Sequence, residues 1–148
     1  MIEIRRLAVF CGSNPGTRPD YVQAARTLGT LLAQRGIGVV YGGSSVGLMA
    51  ALADGFIALP GGIGTLEEFF ETWTWAQLGM HAKPCGLLNV EGYYDGMLQF
   101  LDHAVAERFV RDVHRAMVIV ESDPEKLLSR FMSYEPPRVV KWINAGTI

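Results

Sequence analysis

The residues richest in possible chemistry are Pro60-Gly61-Gly62-Ile63-Gly64-Thr65-Leu66-Glu67-Glu68. Glycines let the main chain approach a ligand closely. A helix starting here would aim its free N–H groups and positive dipole end at an anion. Such a turn can hold a phosphate without any lysine. It is not a Walker loop, because no Gly-Lys-Ser/Thr follows. Nor is it the dinucleotide fingerprint: Gly62-Ile63-Gly64 supplies two glycines, but Glu67 stands where a third is wanted for close helix–strand packing. Hydride chemistry on a nicotinamide is therefore not expected.

Glu67 and Glu68 are expected in the first turn of the following helix. Neighbouring helical residues diverge by about 100°, so the two carboxylates cannot share one task. One could activate a water while the other holds a sugar hydroxyl. A helix N-terminus favours the ionised form, which suits a general base or the stabiliser of an oxocarbenium ion. A second reading of the same spacing is structural. Thr65-x-x-Glu68 fits a capping box, and Glu67, Glu68 and Glu71 all suit the N-terminal half of a helix. Spacing alone leaves both readings open. Thr74 lies one to two turns on and could reach a ligand, although a helical threonine commonly bonds its own backbone. Trp73 and Trp75 read as core or interface residues. His81, His103 and His114 are scattered without metal-ligand spacing, and no Ser-His-Asp order or Cys/His cluster stands out.

The elements that must position these residues follow from hydrophobic runs and glycine stops. Strands are expected over 7–11, 37–41, 56–59, 86–90 and 117–120. Helices are expected over 20–35 with Asp20 as N-cap, 48–53, 65–78, 94–109, and after Ser122-Asp123-Pro124-Glu125. The tail from Glu135, with Pro136-Pro137, reads as an extended arm. Strand, turn and helix thus repeat five times. The strands are continuous apolar runs, so both faces of the sheet are covered. The fold class is a Rossmann-like, doubly wound, mostly parallel α/β sheet in three layers. Ligands in such sheets bind beyond the carboxyl ends of the strands, where the first three strands all end in glycine-rich turns. Only 14 residues separate Tyr41 from Phe56, barely enough for a crossover with a helix of about two turns.

The 148 residues fit one domain, 1–148. A net charge of −2 and a pI near 5.9 supply no positive field for a nucleic-acid polymer or an anionic membrane. Cys11 and Cys85 lie in apolar strand contexts and read as buried reduced thiols, which points to the cytoplasm. No signal peptide or apolar membrane span is read in the sequence.

The 60–68 segment resembles the P-G-G-x-G-T-x-x-E signature of the Lonely Guy family, phosphoribohydrolases of cytokinin riboside 5′-monophosphates once mislabelled lysine decarboxylases. The resemblance extends through Val9-Phe10-Cys11-Gly12-Ser13, Tyr41-Gly42-Gly43, Gly47-Leu48-Met49, the run 74–79, Lys83-Pro84, Leu88-Asn89-Val90 and Gly92-Tyr93-Tyr94-Asp95. It implies a cytoplasmic homodimer, without metal or cofactor, that cleaves AMP or N6-substituted AMP to free base and ribose 5-phosphate. By this resemblance Glu68 is the catalytic carboxylate. Gly62, Ile63, Gly64, Thr65, Leu66, Glu67 and Thr74 contact the nucleotide, with Gly12, Ser13, Gly43 and Ser44 near the phosphate. The matched motif holds no lysine for a pyridoxal Schiff base. Family members carry a further block of at least ~30 residues, the size of a βαβ unit, with no counterpart near residues 49–50 here: either the sequence joins two pieces at that point, as the marginal crossover suggests, or the protein lacks the block. That block bears a His-Glu-Arg-Lys-type motif with a second catalytic residue, its arginine. The alternative function is a non-catalytic nucleotide- or cofactor-binding module of the same fold.

Overall fold

Alternation along each central strand decides the layers. In β1 (Arg6–Phe10) Ala8 and Phe10 face one side of the sheet, while Leu7 faces the other. In β3 (Gly55–Ala58) Phe56 and Ala58 take the first side and Ile57 the second. β4 (Cys85–Leu88) and β5 (Val118–Glu121) repeat the pattern with Leu87 and Val118 against Leu88 and Ile119. Each face therefore needs its own helical cover. These observations come from a computed structural model that describes residues 1–42 and 46–138.

On the first face lie Met49 and Ala53, beside and just beyond the end of α2 (Val46–Leu52), with Phe69, Trp73 and Ala76 of α3 (Ile63–Gln77) and Leu101 of α4 (Asp95–Ala106). On the second lie Leu28 and Leu32 of α1 (Pro19–Gln34) and Leu127, Leu128 and Phe131 of α6 (Pro124–Met132). A short α5 (Asp112–Arg115) precedes β5. The five strands run in the order β2-β1-β3-β4-β5, with β2 at Gly38–Val40, and all four ladders are parallel. The expected three-layer doubly wound sheet is thus present, and among the described strands it is wholly parallel.

Several local expectations are corrected. The first helix is capped at Arg18 with Pro19 opening it, so Asp20 sits inside its first turn. The last starts from Asp123, whose carboxylate accepts the Lys126 N–H at 2.9 Å. β2 is not covered on both sides: Val39 is 47 % exposed, and Tyr41 just beyond it is 80 % exposed. Cys11 is exposed, lying in the turn after β1. Cys85 is buried, which pushes its thiol up to about 12. The C-terminal arm is described only to Arg138, without regular structure.

The short connection from β2 to β3 is held at its far end. Lys83 Nζ donates to the carbonyls of Ala50 and, at 2.6 Å, Ala53, closing the C-terminal turn of α2. His81 braces the same segment. It bonds the Thr72 carbonyl at 2.8 Å and accepts the Lys83 N–H at 3.1 Å. Asp54 then ties the entry of β3 to β1, accepting the N–H groups of Arg5 and Arg6 at 2.8 and 2.9 Å. A seven-residue helix is too short to hold itself. Packing of Met49 and these ties do it instead.

Candidate active site

The parallel pairing of β1 with β3 brings two glycine turns side by side at their carboxyl ends. Leu59 N–H donates to the Phe10 carbonyl at 2.8 Å, and Gly12 N–H to the Pro60 carbonyl at 3.1 Å. The contact is tight. A Cβ on Gly61 would fall 2.1 Å from Thr65 Oγ1 and 2.7 Å from the Gly12 nitrogen. Gly12 and Gly61 are therefore required by each other. At Gly62 and Gly64 a Cβ would meet nothing within 4 Å among the described residues.

Gly62 is the N-cap of α3, and no side chain caps that helix. The expected capping box is absent. Thr65 sits two residues beyond the helix start and is buried, so it cannot act as the cap. Among the described residues the helix's first N–H groups have no side-chain partner, as an anion site needs.

Because α3 begins at Ile63, Glu67 and Glu68 lie in its second turn, not its first. The dipole fades within one turn, so it does not hold Glu68 ionised. Burial, with like charge from Glu67 and Glu71 added, instead holds the Glu68 carboxyl above its ordinary value. Among the described residues Glu68 has no ion-pair partner. It is half-buried, while Glu67 is exposed. Thr65 and Glu68 stand three residues apart, on one helix face and about 4.5 Å apart along the axis.

A cavity of about 270 Å³ opens beside the turn, lined by residues 12–16, Tyr21, residues 60–62 and Tyr93. It gathers Gly12, Ser13 and Gly62 of the expected residues; Gly64, Thr65, Glu68 and Thr74 lie outside its lining. Ile63 is 87 % exposed. Leu66 packs its side chain against the core and donates its N–H to the Gly62 carbonyl at 3.1 Å. Thr74 is exposed and its hydroxyl donates to the Phe70 carbonyl at 2.7 Å, the backbone bond expected of a helical threonine. Trp73 is core, its Nε1 donating to the His114 carbonyl at 2.9 Å. Gly43 and Ser44 lie outside the described residues.

Sequence reasoning missed the tyrosines. Tyr93 Oη donates to the Gly61 carbonyl at 2.5 Å and Tyr94 Oη to the Leu59 carbonyl at 2.6 Å. Tyr21 meets the Tyr93 ring edge-on, centroids 5.6 Å apart. The signal was the adjacent pair of phenols just past β4, but only the strand order shows that β4 neighbours β3.

Comparison with known proteins agrees with this arrangement. The family model described as "Possible lysine decarboxylase" matches residues 46–131. A cytokinin riboside 5′-monophosphate phosphoribohydrolase of Arabidopsis thaliana is 39 % identical over 180 aligned positions, covering 89 % of this chain and 83 % of the relative. A probable enzyme of the same name from Oryza sativa subsp. japonica is 40 % identical over 181 positions, covering 90 % and 74 %. A second Arabidopsis thaliana enzyme of that name is 37 % identical over 182 positions, covering 90 % and 85 %. The chain belongs to the Lonely Guy family, the cytokinin riboside 5′-monophosphate phosphoribohydrolases.

Proposed function

We propose that this protein hydrolyses the N-glycosidic bond of an adenine-type nucleoside 5′-monophosphate, releasing free base and ribose 5-phosphate. The observation that carries this reading is the uncapped start of α3, with Glu68 one turn along the face that begins at Thr65. The N–H groups of the Gly61–Thr65 turn hold the 5′-phosphate, and Gly62 and Gly64 leave the room it needs. Gly12 and Ser13 border the phosphate from the β1 side. One ribose then spans from phosphate to the neighbourhood of Glu68. Glu68 takes a proton from a water whose hydroxyl adds to C1′. The C1′–N bond breaks with its electron pair on the base, which leaves carrying the proton. By the family resemblance Glu67 and Thr74 also contact the nucleotide.

The relatives are named for cytokinin riboside 5′-monophosphate, so AMP and an N6-isopentenyl analogue are the substrates to compare. Incubation with each and chromatography of the products tests the proposal: free base is expected. Tight AMP binding with no base released would support a nucleotide-carrying module instead. What favours that second reading is that Glu68 has no ion-pair partner among the described residues.

The whole chain is proposed to act as one domain and, by family resemblance, as a cytoplasmic homodimer. Phe100 in the middle of α4 and Phe109 just beyond its C-terminal end, 65 % and 88 % exposed, support association. Sedimentation at micromolar concentration checks it. Among the described residues no helix is long and apolar enough to cross a membrane.

A further inference from the structure

The three carbonyls leading into α3 are each claimed by a donor. Tyr94 Oη holds that of Leu59, Gly12 N–H that of Pro60, and Tyr93 Oη that of Gly61. In a trans peptide the C=O and the next N–H point in opposite directions. Drawing the Pro60 carbonyl toward Gly12 turns the Gly61 N–H the other way. Drawing the Gly61 carbonyl toward Tyr93 does the same to the Gly62 N–H. The next amides, of Ile63, Gly64 and Thr65, open the helix and have no intrahelical acceptor. Adjacent N–H groups turned to one side form an anion-binding concavity.

The geometry points to Tyr93 and Tyr94 as positioning residues of the anion site, their hydroxyls setting the peptide planes whose N–H groups receive the phosphate. This rests on the phosphate placement of the proposed reaction and extends it to two residues outside the 60–68 motif. Tyr94 is 2 % exposed and lies outside the cavity lining, so no ligand touches it. An effect of its hydroxyl on affinity must pass through the turn. Tyr93 is 43 % exposed and also walls the cavity. Replacing either by phenylalanine removes one oxygen and keeps the ring, including the edge-on contact of the two rings at 4.9 Å.

The test titrates wild type, Tyr93→Phe and Tyr94→Phe with AMP, inorganic phosphate and adenosine by calorimetry, and records melting and turnover. Each variant should bind AMP and phosphate about three- to tenfold more weakly, the worth of one net hydrogen bond. Adenosine affinity should be unchanged, and the loss should appear in KM with kcat at saturation retained. A purely structural role would lower melting and leave the phosphate-specific difference at zero. Equal phosphate and AMP affinities in all three proteins would overturn the inference, as would a wild type that binds neither. If Tyr94→Phe does not fold, the exposed Tyr93→Phe decides by the same criterion. Binding is read without turnover, so a wild type that holds AMP but releases no base would defeat the proposed reaction alone.

Discussion

Replacing Glu68 by glutamine separates chemistry from folding, and the structure gives the two effects opposite signs. The carboxyl is held above its ordinary value of 4.5 by burial first, then by Glu67 and Glu71. The folded chain therefore binds this proton more tightly than the unfolded chain does. Below 4.5 the group is neutral in both states and costs nothing. As pH rises through the raised folded value, ionisation of Glu68 removes stability. Glutamine has the same shape without the charge. It relieves the i,i+3 repulsion with Glu71, about 0.2–0.5 kcal/mol before screening, or roughly 1–2 °C in Tm for a chain this size. The small gain should be seen at pH 7 and vanish below 4.5. Turnover of AMP should fall about 10²- to 10⁴-fold if the carboxylate is the general base, and the wild-type acid limb should lie above 4.5. The assay pairs melting across pH with chromatographic release of base. Full activity in the variant would refute the catalytic role, and a lower Tm at pH 7 would refute the electrostatic account.

Two glycine substitutions three residues apart should diverge. Gly61→Ala drives a Cβ into Thr65 and Gly12 and should cost at least about 2–3 kcal/mol of stability. Gly64→Ala meets no neighbour and gains up to about 1 kcal/mol of helix propensity. It should raise the melting temperature while weakening AMP binding at least tenfold by titration. Lys83→Met uncaps α2 and leaves the Ala50 and Ala53 carbonyls without their donor, costing about 1–3 kcal/mol by urea unfolding; Lys83→Arg should recover part of it. His81 and His114 are both held below the ordinary value of 6.5, with burial the leading cause. The unfolded chain takes these protons first, so stability should fall as pH drops below 6.5. His81→Gln should remove part of that slope in melting curves recorded against pH.

The sheet was legible because its strands are short apolar runs stopped by glycine, and no helical period competes in LAVFC or FIAL. What failed was everything that depends on neighbours distant in sequence. Val39 and Val40 are as apolar as Phe56 and Ile57, yet β2 is an edge strand and its exposure follows from the strand order. Thr65 and Glu68 have capping-box spacing, but the cap belongs to the residue where the chain turns. Gly61 must press against Gly12, so the helix begins at Ile63 and Thr65 falls inside it. That two-residue shift carries Glu68 beyond the dipole and reverses the direction of its titration. The tyrosine bonds span 32 and 35 residues. No local pattern encodes them.

The glycines of the 60–64 turn divide into two kinds, and the division bears on function. Gly61 is explained by the chain itself, since any side chain there would collide with Thr65 and Gly12. Gly62 and Gly64 are not explained that way. Among the described residues nothing comes near their missing side chains, and neither has the positive φ that favours glycine. At Gly64, in the first turn of a helix, glycine even sacrifices stability that alanine would supply. In the proposed reaction these two glycines serve the bound phosphate instead. The amides at these positions are the ones left open by the tied carbonyls behind them. A bulky anion seated on those N–H groups would run its oxygens into any Cβ placed there. On the proposed reaction, glycine at 62 and 64 then leaves the room that the phosphate needs.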